Sequence, residues 1–148
     1  MTEVERIAAI LDIYALKARY FRTMDNKDWV GLEAVFAPDL VADFRESTGQ
    51  HDESQLIHGA ATYVANLAPI LQQIDTVHHG HMPEITIESA DSATGIWAME
   101  DKLWAKDGAP VPFKWMHGYG HYHERYRRID GEWRIAEVRL TRLRVDAG

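Results

Sequence analysis

The chain contains no cysteine, which excludes disulfides, thiolate catalysis and cysteine-held metal in one step. It is also short of positive charge. Sixteen Lys and Arg face 23 Asp and Glu, a formal net charge of -7, and non-specific binding to nucleic acid or an anionic membrane needs the opposite balance. No apolar run approaches the ~18 residues that span a bilayer. The opening Met1-Thr2-Glu3-Val4-Glu5 lacks the basic-then-apolar order of a signal peptide. Repeats, linkers and low-complexity tracts are missing as well. The expectation is a cytoplasmic protein with neither nucleic-acid nor membrane partners. What is present suits one packed domain: 148 residues, 46% of them hydrophobic, which is enough for a core. Five Trp and six Tyr are either core or the walls of a pocket for an apolar small molecule.

Glu3 to about Met24 has the spacing of an amphipathic helix, with Ile7, Ile10, Leu11, Tyr14, Ala18 and Phe21 on one face. Arg6, Asp12, Lys17 and Arg19 are assigned to the opposite side. Asp25 or Asn26 is suited to cap a helix. A second short helix runs from Asp28 to Pro38, carrying Trp29, Leu32, Val35 and Phe36 inward. Leu40–Phe44 predicts a strand, Glu46–Asp52 a loop around Gly49, and Gly59–Ile74 a helix kinked or divided at Pro69. From Thr76 the period becomes two. Short strands are predicted at 76–81 and 84–88 on either side of Pro83, then long ones at 93–105, 113–128 and 132–145. Asp130-Gly131 is the strongest hairpin signal, because both positions tolerate positive φ. Helices first and an antiparallel meander after them make an α+β domain, a curved sheet with helices on one face.

Strand parity singles out two charges. Asp101 shares a face with Trp97, Met99 and Leu103, and Arg142 shares one with Val138 and Leu140. A charge in an apolar row is costly unless paired, so each is a pocket residue or half of an internal ion pair. On 113–128, Trp115, His117, Tyr119, His121 and His123 share one face. Met116, Gly118, Gly120 and Tyr122 share the other, where the glycines leave room for a helix or ligand to come close. The pairs His79/His81 and His121/His123 leave a polyhistidine metal site open as an alternative, against the simpler assignment of a solvated or partner-facing strand surface.

The run Tyr20-Phe21-Arg22-Thr23-Met24-Asp25-Asn26-Lys27-Asp28-Trp29 resembles the first-helix signature of the nuclear-transport-factor-two-like superfamily, in its SnoaL-like and scytalone dehydratase branch. Gly80-His81-Met82-Pro83-Glu84-Ile85-Thr86-Ile87, continued by Trp97 and Glu100-Asp101, is similar to bacterial bile-acid 7-alpha-dehydratases. Tyr126 to Ile135 resembles the superfamily's closing hairpin, which is not specific to a function. The resemblance implies a cone-shaped, mixed or antiparallel sheet wrapped around N-terminal helices, the cystatin-like α+β barrel. It implies an aspartate–histidine dyad at Asp25 and His78, a contributing tyrosine at Tyr20, and further site residues at Asp101 and Arg142. The last two are the charges that parity had already marked. Trp97, Met99, Leu103, Trp115 and Tyr119 are candidate substrate walls. His81 is expected to be structural or lining, and His79 to do least.

The implied activity is a cofactor-independent dehydratase, without metal, acting on a hydroxylated polycyclic or steroid-like ketone. Isomerase or cyclase chemistry and a non-catalytic ligand-binding role are the alternatives. A homo-oligomer, trimer or dimer, is implied too. Three departures bear on the substrate. Leu103 falls where scytalone dehydratase has a second histidine, Met24 replaces a tyrosine, and the longer C-terminal tail of some relatives is expected to be missing after Gly148.

Overall fold

The computed structural model describes residues 1–148. Helix α1 (Glu3–Asp25) opens the chain and α2 (Trp29–Ala34) follows it. Strands β1 (Phe36–Asp43) and β2 (Leu56–His58) come before α3 (Ala60–Leu71). Four long strands complete the fold: β3 (Ile74–Ile87), β4 (Ser92–Ala105), β5 (Trp115–Ile129) and β6 (Glu132–Ala147). They form one six-stranded sheet in the order β2-β1-β6-β5-β4-β3. Every neighbouring pair is antiparallel except β1–β6, which is parallel. This mixed, curved sheet around N-terminal helices is the expected cystatin-like α+β arrangement, with β2 and β3 as its edges. No helix is long and apolar enough to cross a membrane.

Local chemistry sets the boundaries. Thr2 and Glu5 form a reciprocal capping box at the start of α1, satisfying two otherwise free backbone donors. Asn26 closes the same helix, its side chain donating to the Arg22 carbonyl at 2.8 Å. Asp28 caps α2 by accepting from the Gly31 amide. The β5–β6 hairpin turns on Asp130 and Gly131, both with positive φ (50° and 82°).

Several sequence expectations need correction. The face of α1 that packs inward carries Ala9, Ile13, Leu16, Lys17, Tyr20 and Met24, not the Ile7/Leu11/Tyr14 stripe, which is exposed. Lys17 belongs to the core rather than to the polar side, because an acidic partner and aromatic rings wait for it there. Helix α2 stops at Ala34, and β1 starts at Phe36 ahead of Pro38. Pro38 is tolerated in a strand whose register to β6 is irregular between Phe36 and Val41. Helix α3 ends at Leu71, Pro69 lying in its last turn. Strand β3 runs unbroken through Pro83, with a register shift between Gly80 and Pro83 absorbing the proline.

The inner faces follow parity. Trp97, Met99, Asp101 and Leu103 of β4 are all buried. So are Met116, Tyr122, Glu124 and Tyr126 of β5 and Val138 and Leu140 of β6. Register shifts on β6 opposite 119/120 and 125/126 mark bulges that bend the sheet over α1.

Candidate active site

The last turn of α1 and the first half of β3 meet at one point. There Asp25 Oδ1 lies 2.6 Å from His78 Nδ1. The other carboxylate oxygen accepts the His78 backbone N–H at 2.9 Å, and the Thr76 hydroxyl donates to Oδ1 at 2.9 Å. Lys27 Nζ donates to the Thr76 hydroxyl in turn. Asp25 is therefore no helix cap. It is held by two residues of the neighbouring strand, and it fixes the ring of His78. A carboxylate accepts, so Nδ1 carries the proton and the lone pair is left on Nε2. Phe21 lies almost parallel to the imidazole, 17° between planes. Part-burial works against ionisation of Asp25. The His78 ring, its charge, its amide and the Thr76 hydroxyl outweigh that and hold the carboxyl below its usual range.

That depression fixes the sign of a pH effect. A carboxyl held lower in the fold than in the unfolded chain stabilises the fold above the ordinary carboxylate pKa, about 3.9, and the gain is lost as pH falls through the depressed value. Urea unfolding followed downward from about pH 5 is expected to show a steeper acid loss in the wild type than in Asp25→Asn, which has no proton to take up at this position.

Across the sheet, His78 pairs in register with Asp101 of β4. Asp101 accepts two hydrogen bonds from Arg142, at 2.7 Å from Nη1 and 3.0 Å from Nη2. Nη1 also points at Met99 Sδ, and Nε donates to the Ser47 carbonyl at 2.8 Å. Four of the five guanidinium N–H groups are thus engaged, and one on Nη2 remains. Both side chains are nearly fully buried. The pair closes over Gly118 of β5. A Cβ there would sit 2.2 Å from Arg142 Nη1 and 2.4 Å from Asp101 Oδ1. At Gly120 a Cβ would strike the Thr141 carbonyl at 1.9 Å. The two glycines therefore admit an ion pair and a bulged strand, not the helix or ligand that their spacing suggests.

Gly118→Ala is expected to break the pair and cost roughly 3–5 kcal/mol, the penalty for stranding a buried charge. A double variant with Asp101→Asn should lose much less than the sum of the two single losses. Urea unfolding of the singles and the double measures this.

His78, Asp101, Leu103 and Arg142 line one cavity of about 150 Å³ together with Tyr20. Its remaining wall was not read from the sequence: Tyr63, Leu67 and Leu71 of α3, Met116 and Tyr122 of β5, Leu140 of β6, Met24, and Phe44, Ser47, Gln55 and Ile57 from the β1–β2 region. Burial, then the neighbouring phenols, pushes the Tyr20 hydroxyl well above its ordinary range. Burial does the same to Tyr122, with the Asp101 charge second. Both stay neutral donors. Larger depressions of about 510 and 570 Å³ lie elsewhere among charged surface residues, and neither contains His78.

Four expected wall residues lie outside this lining. Trp97 sits below it, donating from Nε1 to the Tyr126 hydroxyl at 2.7 Å and meeting Tyr14 edge-on. Met99 packs beneath Arg142. Trp115 and Tyr119 have the opposite parity and face outward. His81 is a surface residue too, 3.2 Å from Glu100, with His79 3.9 Å from the same carboxylate. His123 bonds to Thr141. No group of three or more ligating side chains converges among these histidines.

A second charged cluster underlies the cavity. Lys17 pairs with Glu124, both side chains fully buried. Lys17 Nζ also lies 3.9 Å and 3.7 Å from the ring centres of Tyr20 and Tyr122. Glu124 accepts from the Tyr126 hydroxyl at 2.6 Å. Burial lowers the Lys17 pKa despite its partner. The signal for it was available: Ile13, Leu16, Lys17 and Tyr20 have one-face spacing, and Glu124 continues the inward row of Tyr122.

A family model for the SnoaL-like domain matches residues 5–139. A probable cyclase of Gibberella zeae is 23% identical over 133 residues, 86% of either chain. A candidate scytalone dehydratase from Novosphingobium aromaticivorans superposes with TM-score 0.84 at 17% identity, covering 99% of this chain and 92% of that one. A hexachlorocyclohexane dehydrochlorinase, LinA type 3, from Novosphingobium barchaimii gives 0.78 at 16% identity, covering 99% and 94%. At such identities these two structures establish the shared fold.

Proposed function

We propose that this chain, which belongs to the SnoaL-like domain family, is a cofactor-independent lyase that removes water from a hydroxylated ketone. The observation that carries this is the Asp25–His78 contact at 2.6 Å, in a histidine that lines a mostly apolar cavity. A ligand-binding role alone gives no reason to hold one imidazole by its Nδ1 and its own backbone N–H at once.

In the proposed reaction His78 Nε2 takes the proton from the carbon beside the carbonyl. The electron pair of that C–H bond enters the carbonyl system as an enolate. Tyr20, protonated at any ordinary pH, donates to the enolate oxygen. The enolate then collapses, the C–O bond to the β-hydroxyl breaks, and the proton on His78 leaves with hydroxide as water. Asp25 keeps the tautomer and stabilises the imidazolium between the two steps. The unengaged Nη2 N–H of Arg142 is the donor available to the leaving oxygen. One acid–base group serving both transfers is worth about 10²–10⁴-fold.

A second reading, an isomerase or cyclase, is favoured by the probable cyclase among the relatives. It shares the enolate and differs only in where the electrons go. Incubation with a β-hydroxy ketone, followed by ultraviolet absorbance of the conjugated enone and mass analysis, separates them. Loss of one water from the β-hydroxy ketone supports the lyase, whereas conversion of a β,γ-unsaturated ketone to the conjugated enone at unchanged mass supports the isomerase. A homo-oligomer is proposed as well. The outward side chains Ile96, Trp104 and Trp115 are substantially exposed in the single chain, and a solution mass equal to one chain removes that part.

A further inference from the structure

The sequence implied a polycyclic or steroid-like ketone. The cavity that holds His78 is about 150 Å³, whereas pockets for drug-sized ligands run to about 300–1,000 Å³. An engineered apolar protein cavity of about 150 Å³ takes one benzene. The space beside His78 is therefore the size of a single six-membered ring.

The walls are not ones that yield. Leu103, Met116, Leu140, Leu71 and Tyr122 belong to the same buried core cluster as the inner face of α1. Interiors are packed at crystal-like density, so enlarging the site means moving strands. The floor is braced from below, because Lys17 lies against the rings of Tyr20 and Tyr122. The rim is tied as well. Arg142, itself locked to Asp101, holds the Ser47 carbonyl at 2.8 Å. Arg45 bridges Asp43 and Glu53 across the base of the same loop, and His51 bridges Glu46 and Glu53 near its tip.

We infer that the substrate, on the lyase reading given above, is a single-ring or equally compact β-hydroxy ketone. Its ring packs among Leu103, Met116 and Leu140, and its oxygens face Tyr20 and Arg142. The four rings of a steroid-like ketone do not fit within this volume.

Calorimetric binding and enone formation, measured on the full chain with 3-hydroxycyclohexanone and with a four-ring β-hydroxy ketone, test this. The single-ring compound is expected to bind at least about tenfold more tightly. Leu140→Phe, which fills the cavity, should weaken it by a further factor of about ten. Met116→Ala, which enlarges the cavity, should admit a two-ring hydroxydecalone that the wild type rejects, so the outcome does not depend on one variant folding. Equal or tighter wild-type binding of the four-ring ketone overturns the inference, as does indifference of the single-ring ligand to Leu140→Phe. The two readings fail separately. Size-ranked binding without enone refutes the lyase while the size limit stands. Dehydration of the four-ring ketone refutes the size limit while the lyase stands.

Discussion

His78→Ala is expected to lower kcat for β-hydroxy ketone dehydration by about 10²–10⁴-fold, with KM nearly unchanged. On the proposed mechanism the imidazole touches the reacting atoms but contributes little of the cavity wall, so its removal should cost transition-state stabilisation rather than ground-state binding. Asp25→Asn should fall in the same range for a different reason. An asparagine amide in place of Oδ1 presents a donor to Nδ1 as readily as an acceptor, so the imidazole is free to turn its lone pair inward and leave Nε2 protonated. The backbone N–H of His78 would still bind the asparagine oxygen in the place of Oδ2, and the Thr76 hydroxyl, which donates to Oδ1 in the wild type, can rotate to accept from the amide instead, so the fold should survive at neutral pH. The double variant is expected to be little worse than the worse single one, because the two residues act as a unit. Additive losses would mean that they do separate work.

A stability loss as large as that of Gly118→Ala is expected at Glu124. Glu124→Ala leaves Lys17 without its only carboxylate in a fully buried site and removes the acceptor of the Tyr126 hydroxyl. Breaking a buried ion pair from one side costs roughly 3–5 kcal/mol, or about 10 °C in Tm for a domain of this size. Burial already lowers the Lys17 pKa, so the orphaned amine should shed its proton. Stability of Glu124→Ala is then expected to rise with pH through the neutral range, where the unfolded chain keeps Lys17 charged and binds more protons than the fold. Replacing both members, as Lys17→Met with Glu124→Leu, should recover most of the loss. Thermal and urea unfolding of the three variants decide it. A Glu124→Ala protein as stable as wild type would show that the aromatic rings, not the carboxylate, hold Lys17.

The contrast between these two charge clusters shows how far the sequence could be read. Asp101 and Arg142 interrupt rows with period two, and parity alone exposed them. Each was expected to be a pocket residue or half of an internal ion pair, and the two are partners in one pair that lines the cavity; what could not be read is that the contact spans β5 and depends on Gly118 having no side chain. Lys17 was hidden by a different ambiguity. Helix α1 carries apolar residues on both sides, and the stripe through Ile7, Leu11 and Tyr14 outweighed the one through Ile13, Leu16 and Tyr20. Only the sheet, with Glu124 facing the second stripe, decides which is buried. The antiparallel run from β3 to β6 was legible because alternation and the Asp130-Gly131 turn are local signals. The parallel β1–β6 pairing was not, since it joins segments about a hundred residues apart.

The same distinction applies to the pocket. Asp25 and His78 were found through the resemblance, since spacing gives no hint that residues 53 positions apart touch. The far wall was missed because Tyr63, Leu67 and Leu71 read as an ordinary amphipathic helix. What makes them a wall is the gap between α3 and the inner face of the sheet. Trp115 and Tyr119 failed as wall residues on their own parity: they alternate with Met116 and Gly118, and those face the core. Aromatic character pointed one way and alternation the other, and alternation was right.

On the proposed mechanism His78, oriented by Asp25, removes a proton next to a carbonyl in this cavity. Solvent deuterium exchange tests it without any leaving group. Cyclohexanone is incubated with the protein in deuterated buffer, and the signal of its α-hydrogens is followed by proton NMR. The wild type is expected to accelerate their loss well above the buffer rate, and His78→Ala to return it to that rate. Exchange by His78→Ala at the wild-type rate would rule out His78 as the base.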